Sequence, residues 1–142
     1  MRTLITAVVL AYCALGVWLA DTSKAQQPEK FTVKLCNQSG SAAVFALVVR
    51  TQPNLWRVRG WYGVPNQQCN SVGTYFGPAF YFVAISEDGV SWQAARDDRT
   101  AVWECVLAEA FDYQDGKYPN NCNDGAVMHF ARIPAGTVPT LK

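Results

Sequence analysis

Nucleophilic catalysis needs a base beside the nucleophile, and the chain offers a single imidazole, His129. It sits in AVMHFAR (residues 126–132), alternating with Met128 and Phe130, so it reads as a strand histidine held by packing and one hydrogen bond. Carboxylates are the other acid–base candidates, in the way that paired Asp and Glu serve glycosidases. Glu87 and Asp88 stand together in a turn, Asp97 and Asp98 lie between Arg96 and Arg99, and Glu104 and Glu109 share one segment. Solvated charge accounts for all of these. DYQDGKYPNNCND (112–124) is richer, gathering Asp112, Asp115, Asn120, Asn123 and Asp124 as oxygen donors in one cysteine-closed loop. Its spacing lacks the alternation of an EF-hand loop, so turn-forming Asx residues are the expectation, with calcium the lesser reading. Zinc or copper would need several His or Cys ligands, so no metal and no other cofactor is expected.

Recognition chemistry is more visible than catalysis. WRVRGWYGVPNQQC (56–69) places arginines between tryptophans and then runs through a proline turn to a cysteine. On a strand, Trp56, Val58, Gly60 and Tyr62 share one side, and Arg57, Arg59 and Trp61 share the other. The first side reads as core. Arg57, Arg59 and Trp61 are the candidate contact patch for a partner protein or glycan, since these residue types dominate interface hot spots. The plainer reading is sheet surface, with arginine stems lying along an outer aromatic. Gly60 could mark a bulge that changes the side Trp61 takes.

Of five cysteines, Cys13 lies in an N-terminal stretch unlike the rest. Arg2 supplies a sparse positive end, Leu4 to Ala20 is uncharged and mostly apolar, and Ser23-Lys24-Ala25 offers a small-residue cleavage site. Residues 1–25 are expected to be a signal peptide and 26–142 a single exported β domain. The alternative is a membrane anchor over residues 3–20, at the lower edge of what can span a bilayer. Of 12 basic and 11 acidic side chains, a leader ending at Ala25 would carry off Arg2, Lys24 and Asp21, leaving ten of each. No net charge invites nucleic acid or an anionic membrane. Cys36, Cys69, Cys105 and Cys122 then form an even set in a short exported chain, which reads as two disulfides. Three connectivities are open, and the sequential one, Cys36 with Cys69 and Cys105 with Cys122, joins neighbouring segments without crossing.

These residues must be positioned mainly by strands. FTVKLC (31–36) alternates apolar with polar, AVFALVVR (43–50) and AFYFVAIS (79–86) are apolar on both faces, and AVMHFARI (126–133) closes the chain's strand pattern. LWRVRGWYG and CNSVGTYF are further strands, and EDG (87–89) is a tight hairpin signal with VSWQAA returning across it. AVWECVLAEA (101–110) has helix-favouring residues at helical spacing and is expected to form one short helix, though Trp103, Cys105 and Leu107 also alternate. Residues 111–125 read as a long turn-rich segment. The fold class is mostly β: a small disulfide-stapled antiparallel β-sandwich or barrel with at most one short helix.

The order LCN (35–37), Trp56, GWY (60–62), Pro65, Cys69, FYFVA (80–84), Trp92, Cys105 and Cys122 resembles the bacterial domain-of-unknown-function 1036 family over most of residues 33–131. That resemblance implies a bacterial, exported domain and brings no activity. Asn37-Gln38-Ser39 matches a glycosylation acceptor, which is set aside in a bacterial chain. The expected function is a non-enzymatic binding or structural module in the periplasm or at the cell surface, acting on an envelope protein or glycan. A small secreted hydrolase using loop carboxylates, or an inhibitor or immunity protein for a secreted enzyme, are the alternatives.

Overall fold

The period-two alternation is realised as ten strands in the computed structural model, which describes residues 29–142. The expected leader and Cys13 lie outside the described residues. The strands are β1 Lys30–Asn37, β2 Ala43–Gln52, β3 Leu55–Val64, β4 Gln68–Phe76, β5 Ala79–Ser86, β6 Ser91–Trp92, β7 Val102–Leu107, β8 Phe111–Gln114, β9 Gly125–Pro134 and β10 Thr140–Leu141. A 3-10 turn at Pro119–Cys122 is the remaining element, and there is no α-helix among the described residues.

β2 explains the architecture. It is apolar on both faces because both are covered. Phe45, Leu47 and Val49 pack against Val33, Leu35, Tyr75 and Leu141, residues of a small three-stranded sheet ordered β10-β1-β4. Ala46 and Val48 pack with Val58, Val83, Val106, Met128 and Phe130, all of the larger sheet itself. That sheet runs β7-β9-β5-β2-β3-β8, with β6 paired to β5, and curls into a nearly closed barrel. Its two end strands meet through side chains. The Tyr113 hydroxyl of β8 donates to the Cys105 carbonyl of β7 at 2.6 Å, and Trp61 Nε1 of β3 donates to the Leu107 carbonyl at 2.8 Å. The molecule is thus sandwich and barrel at once, sharing β2 as the common wall.

Both disulfides take the sequential pairing. Cys36–Cys69 joins directly opposed residues of β1 and β4, and Cys105–Cys122 ties β7 to the 3-10 turn. The hairpin at residues 87–89 is present, with Gly89 at φ +84° and Ala84 opposite Trp92.

The helix expected over 101–110 is not formed; residues 102–107 are strand β7. Its backbone pairs with β9 from Val102 opposite Phe130 to Leu107 opposite Gly125, and Val102 and Val106 enter the barrel core. A ladder of this length, plus burial beside Met128 and Phe130, outweighs the weak helical preference of alanine, leucine and glutamate. The turn-rich segment likewise contains a strand, β8, which pairs Arg57–Gly60 with Phe111–Gln114.

Asn37 ends β1 with no exposed surface. Its Nδ2 donates to the carbonyls of Ser41 and Val64 at 2.8 and 2.9 Å, and its Oδ1 accepts from the Ser39 amide and hydroxyl. The amide is therefore fully engaged and closed to glycosylation in the folded chain. Asn37→Ala, which leaves the buried Val64 carbonyl without its donor and removes one from the part-buried Ser41 carbonyl, is expected to lower stability by roughly 2 kcal/mol in urea unfolding. An unchanged midpoint would contradict that assignment.

Candidate functional site

The ladder between β2 and β3 decides the fate of the WRVRGWYG stretch. Phe45 opposes Tyr62 and Ala46 opposes Gly60, so Trp61 is an extra residue on β3. A bulge of this kind reverses the alternation beyond it. Trp56 and Trp61 consequently both pack against the barrel core, while Tyr62 joins the sandwich core. The structure therefore separates Trp61 from Arg57 and Arg59, which the plain alternation had grouped with it. The arginines converge instead on Asp112 of β8, Arg57 Nε at 2.5 Å and Arg59 NH2 at 2.8 Å. These side chains remain about one-third exposed, where an ion pair adds at most about 1 kcal/mol. They stitch β3 to β8. Beyond the bulge, burial and the neighbouring Tyr75 push the Tyr62 phenol up to about 12. Shielding of an aromatic by arginine does occur, but by Arg50, whose guanidinium lies 4.9 Å from the Trp56 ring.

Trp61 becomes the wall of a cavity. Its indole stands edge-on to Phe111, with ring centroids 5.6 Å apart, and borders a space of about 360 Å³ at one end of the barrel. Ile85, Val106, Leu107 and Met128 complete the apolar lining, and Asp124 stands at its rim. Of the polar groups there, the indole N–H is held by the Leu107 carbonyl at 2.8 Å, and one oxygen of the exposed Asp124 carboxylate accepts from Asn120 Nδ2 at 2.8 Å. Ile85 also borders an adjoining depression with Val44, a valine left 36% exposed.

A second cavity, of about 210 Å³, lies beside the Cys105–Cys122 bridge and is lined by Trp103, Glu104, Tyr118, Asn121 and Val127. Trp103 and Tyr118 are 49% and 44% exposed, and Val127 is 60% exposed. One face of the Trp103 indole is taken by His129, stacked at 4.1 Å and 7°. His129 is packed as the sequence suggested, but its hydrogen bonds run through its backbone: its amide donates to Gln93 and its carbonyl accepts from Ala94. Its buried Nδ1 has no partner among the described residues.

Glu104 is the group that sequence reasoning passed over as solvated charge. It is 4% exposed. Burial, and then the Asp115 carboxylate beside it, push its carboxyl up to about 8. The Tyr113 hydroxyl lies 3.4 Å from Glu104 Oε2, and burial followed by Glu104 itself drives that phenol well above its ordinary range. The Tyr118 phenol is raised too, first by Glu104 and then by burial. A carboxylate between Trp103 and Cys105 on an apolar strand is the signal that could have found it; a helix assignment hid it.

Asp88 and Asp98 serve local structure. Asp88 accepts from the Ser86 and Ser41 hydroxyls, which holds its carboxyl below the usual range. Asp98 accepts the Thr100 hydroxyl and amide, with the same effect. Among the described residues no group of three His, Cys, Asp or Glu side chains is gathered as a metal ion would require. Comparison of the chain with models of known protein families, with curated proteins and with solved structures gives no match.

Proposed function

We propose that the chain is an exported, non-enzymatic binding module whose ligand is a small apolar molecule seated in the barrel mouth beside Trp61. One observation carries this reading. The cavity wall is mainly aromatic and aliphatic, with the indole N–H held by the Leu107 carbonyl and Asp124 the charged residue of the lining, so a ligand gains there chiefly by burying apolar surface and by fitting the shape. Mouths of β-barrels are favoured places for such sites. Two disulfides support an oxidising location, the periplasm or the cell surface, and the likeness to the 1036 family belongs to the same proposal. Arg57 and Arg59 take no part in it, being spent on Asp112.

A hydrolase is the second reading, favoured by Glu104 beside Asp115: a carboxyl that keeps its proton near neutral pH next to a second carboxylate suits acid catalysis. Binding is preferred because the larger and more apolar cavity contains no such pair.

The test is titration with an apolar fluorescent probe, N-phenyl-1-naphthylamine. Saturable binding is expected, weakened about tenfold by Ile85→Ser, which removes buried apolar area from the wall. Arg57→Ala with Arg59→Ala should leave it unchanged. Loss of binding in the arginine variant, with Ile85→Ser unaffected, would move the site back to the β3–β8 edge.

A further inference from the structure

We propose that the cavity between Trp103 and Tyr118 is a site for a small, freely dissolved quaternary ammonium ion. The argument is independent of the barrel mouth and rests on three observations.

The first is the aromatic lining. Trp103 and Tyr118 both border the space and both stay close to half exposed although they are large apolar side chains. His129 covers one face of the indole and fixes its plane, and Tyr113 meets the Tyr118 ring edge-on at 6.3 Å. Two aromatic groups held in place by their own neighbours form a preorganised surface for a cation, which is attracted to the negative face of each ring.

The second is uncompensated acid. Glu104 borders the cavity from the barrel side of β7, the side of its ladder partner Met128, is nearly inaccessible to solvent and has Asp115 beside it. The ion pairs among the described residues join Arg57 and Arg59 to Asp112, and none reaches Glu104. A buried carboxyl that is next to another carboxylate and lacks a cation is a place where an incoming positive charge is complementary.

The third is the remaining wall. Val127 and the Cys105–Cys122 bridge are apolar, and Asn121 is the neutral polar residue of the lining. A primary ammonium would surrender strong hydration for few acceptors, whereas methylated nitrogen is weakly hydrated and presents carbon to such a surface. A phosphate attached to the same ligand would be brought toward Glu104 and Asp115, which repel it. That favours a free solute over a phospholipid headgroup.

Binding is then linked to proton release. Burial and Asp115 keep the proton on Glu104 to about pH 8; the groups facing it are Asp115, Tyr113 and Tyr118, and its partner across the ladder on β9 is the uncharged Met128. A cation favours the ionised carboxylate, so affinity rises with pH until Glu104 is ionised without help.

Tetramethylammonium and its neutral isostere 3,3-dimethyl-1-butanol distinguish charge from mere apolar fit. In a titration of the purified chain followed by tryptophan fluorescence, the cation is expected to bind about tenfold more tightly than the alcohol. Trp103→Leu should weaken it about tenfold, and Glu104→Gln should remove the pH dependence. Ile85→Ser should leave tetramethylammonium binding intact, which separates this site from the barrel mouth. Phosphatidylcholine vesicles should not sediment the protein. Equal affinity for cation and alcohol, or sedimentation with the vesicles, overturns the proposal even if a variant fails to fold.

Discussion

Reduction of both disulfides is expected to remove most of the stability of the fold. The bridges close segments with sequence separations of 33 and 17, for which the chain-entropy account gives about 3 to 4 kcal/mol each. Set against a net stability of roughly 5 to 15 kcal/mol for a domain, their joint loss leaves little. The two act differently. Cys36–Cys69 spans a ladder that also pairs Phe31 with Tyr75 and Leu35 with Asn70, so β1 and β4 stay in register without it and its loss is felt mainly in global stability. Cys105–Cys122 holds a turn with little else to fix it, in which Asn120, Asn121 and Cys122 follow one another in the left-handed region at φ 44°, 52° and 62°. Asparagine enters that region readily, whereas cysteine does so rarely. Opening that bridge frees the turn and with it the wall that carries Tyr118. Urea unfolding with and without dithiothreitol measures the sum, and the paired variants Cys36→Ala/Cys69→Ala and Cys105→Ala/Cys122→Ala measure the parts. A midpoint that does not move under full reduction would sink the expectation.

The same contrast, between ladders and lone turns, governs what was legible in the sequence. AFYFVAIS begins and ends where β5 does, and AVFALVVR was recognisable as a strand covered on both faces, because long apolar runs carry their own boundaries. The disulfide pairing was legible because neighbouring segments in the chain became neighbours in space. β8 was not, since FDYQ lies among glycine, proline and asparagine and becomes a strand only by meeting the edge of β3. β7 was misassigned because AVWECVLAEA satisfies both periodicities, and the tertiary partner β9 made the choice. At the site the error was one of register. A single inserted residue carried Trp61 from the arginine side into the barrel, and Gly60 hinted at the bulge without fixing its direction. Glu104 followed from the misassigned segment: on a helix it reads as solvated, on β7 it is buried.

Glu104→Gln is expected to abolish a loss of stability that the native chain suffers as pH rises. In the unfolded chain the carboxyl ionises near its ordinary value of 4.5, while in the folded chain it stays protonated to about 8. Between those values the folded state binds more protons at this group, so the stability that protonated Glu104 contributes is fully present below about pH 4.5, falls as pH rises towards about 8, and is gone above it. The fall is on the order of 5 kcal/mol, the cost of holding a charge in that cavity beside Asp115. Other shifted groups act outside this window: Asp88 and Asp98 titrate below the usual carboxylate range, and the Tyr62 and Tyr113 phenols only far above neutrality. Glutamine keeps the shape and cannot ionise, so urea midpoints of Glu104→Gln and native chain should agree near pH 4.5 and diverge by pH 9, the variant being the more stable. Asp115→Asn should give an intermediate slope, because it removes the neighbouring negative charge and leaves the burial. A native chain with equal stability at pH 5 and pH 9, or a glutamine variant that keeps the slope, would mean that Glu104 already finds water or a cation that relieves it.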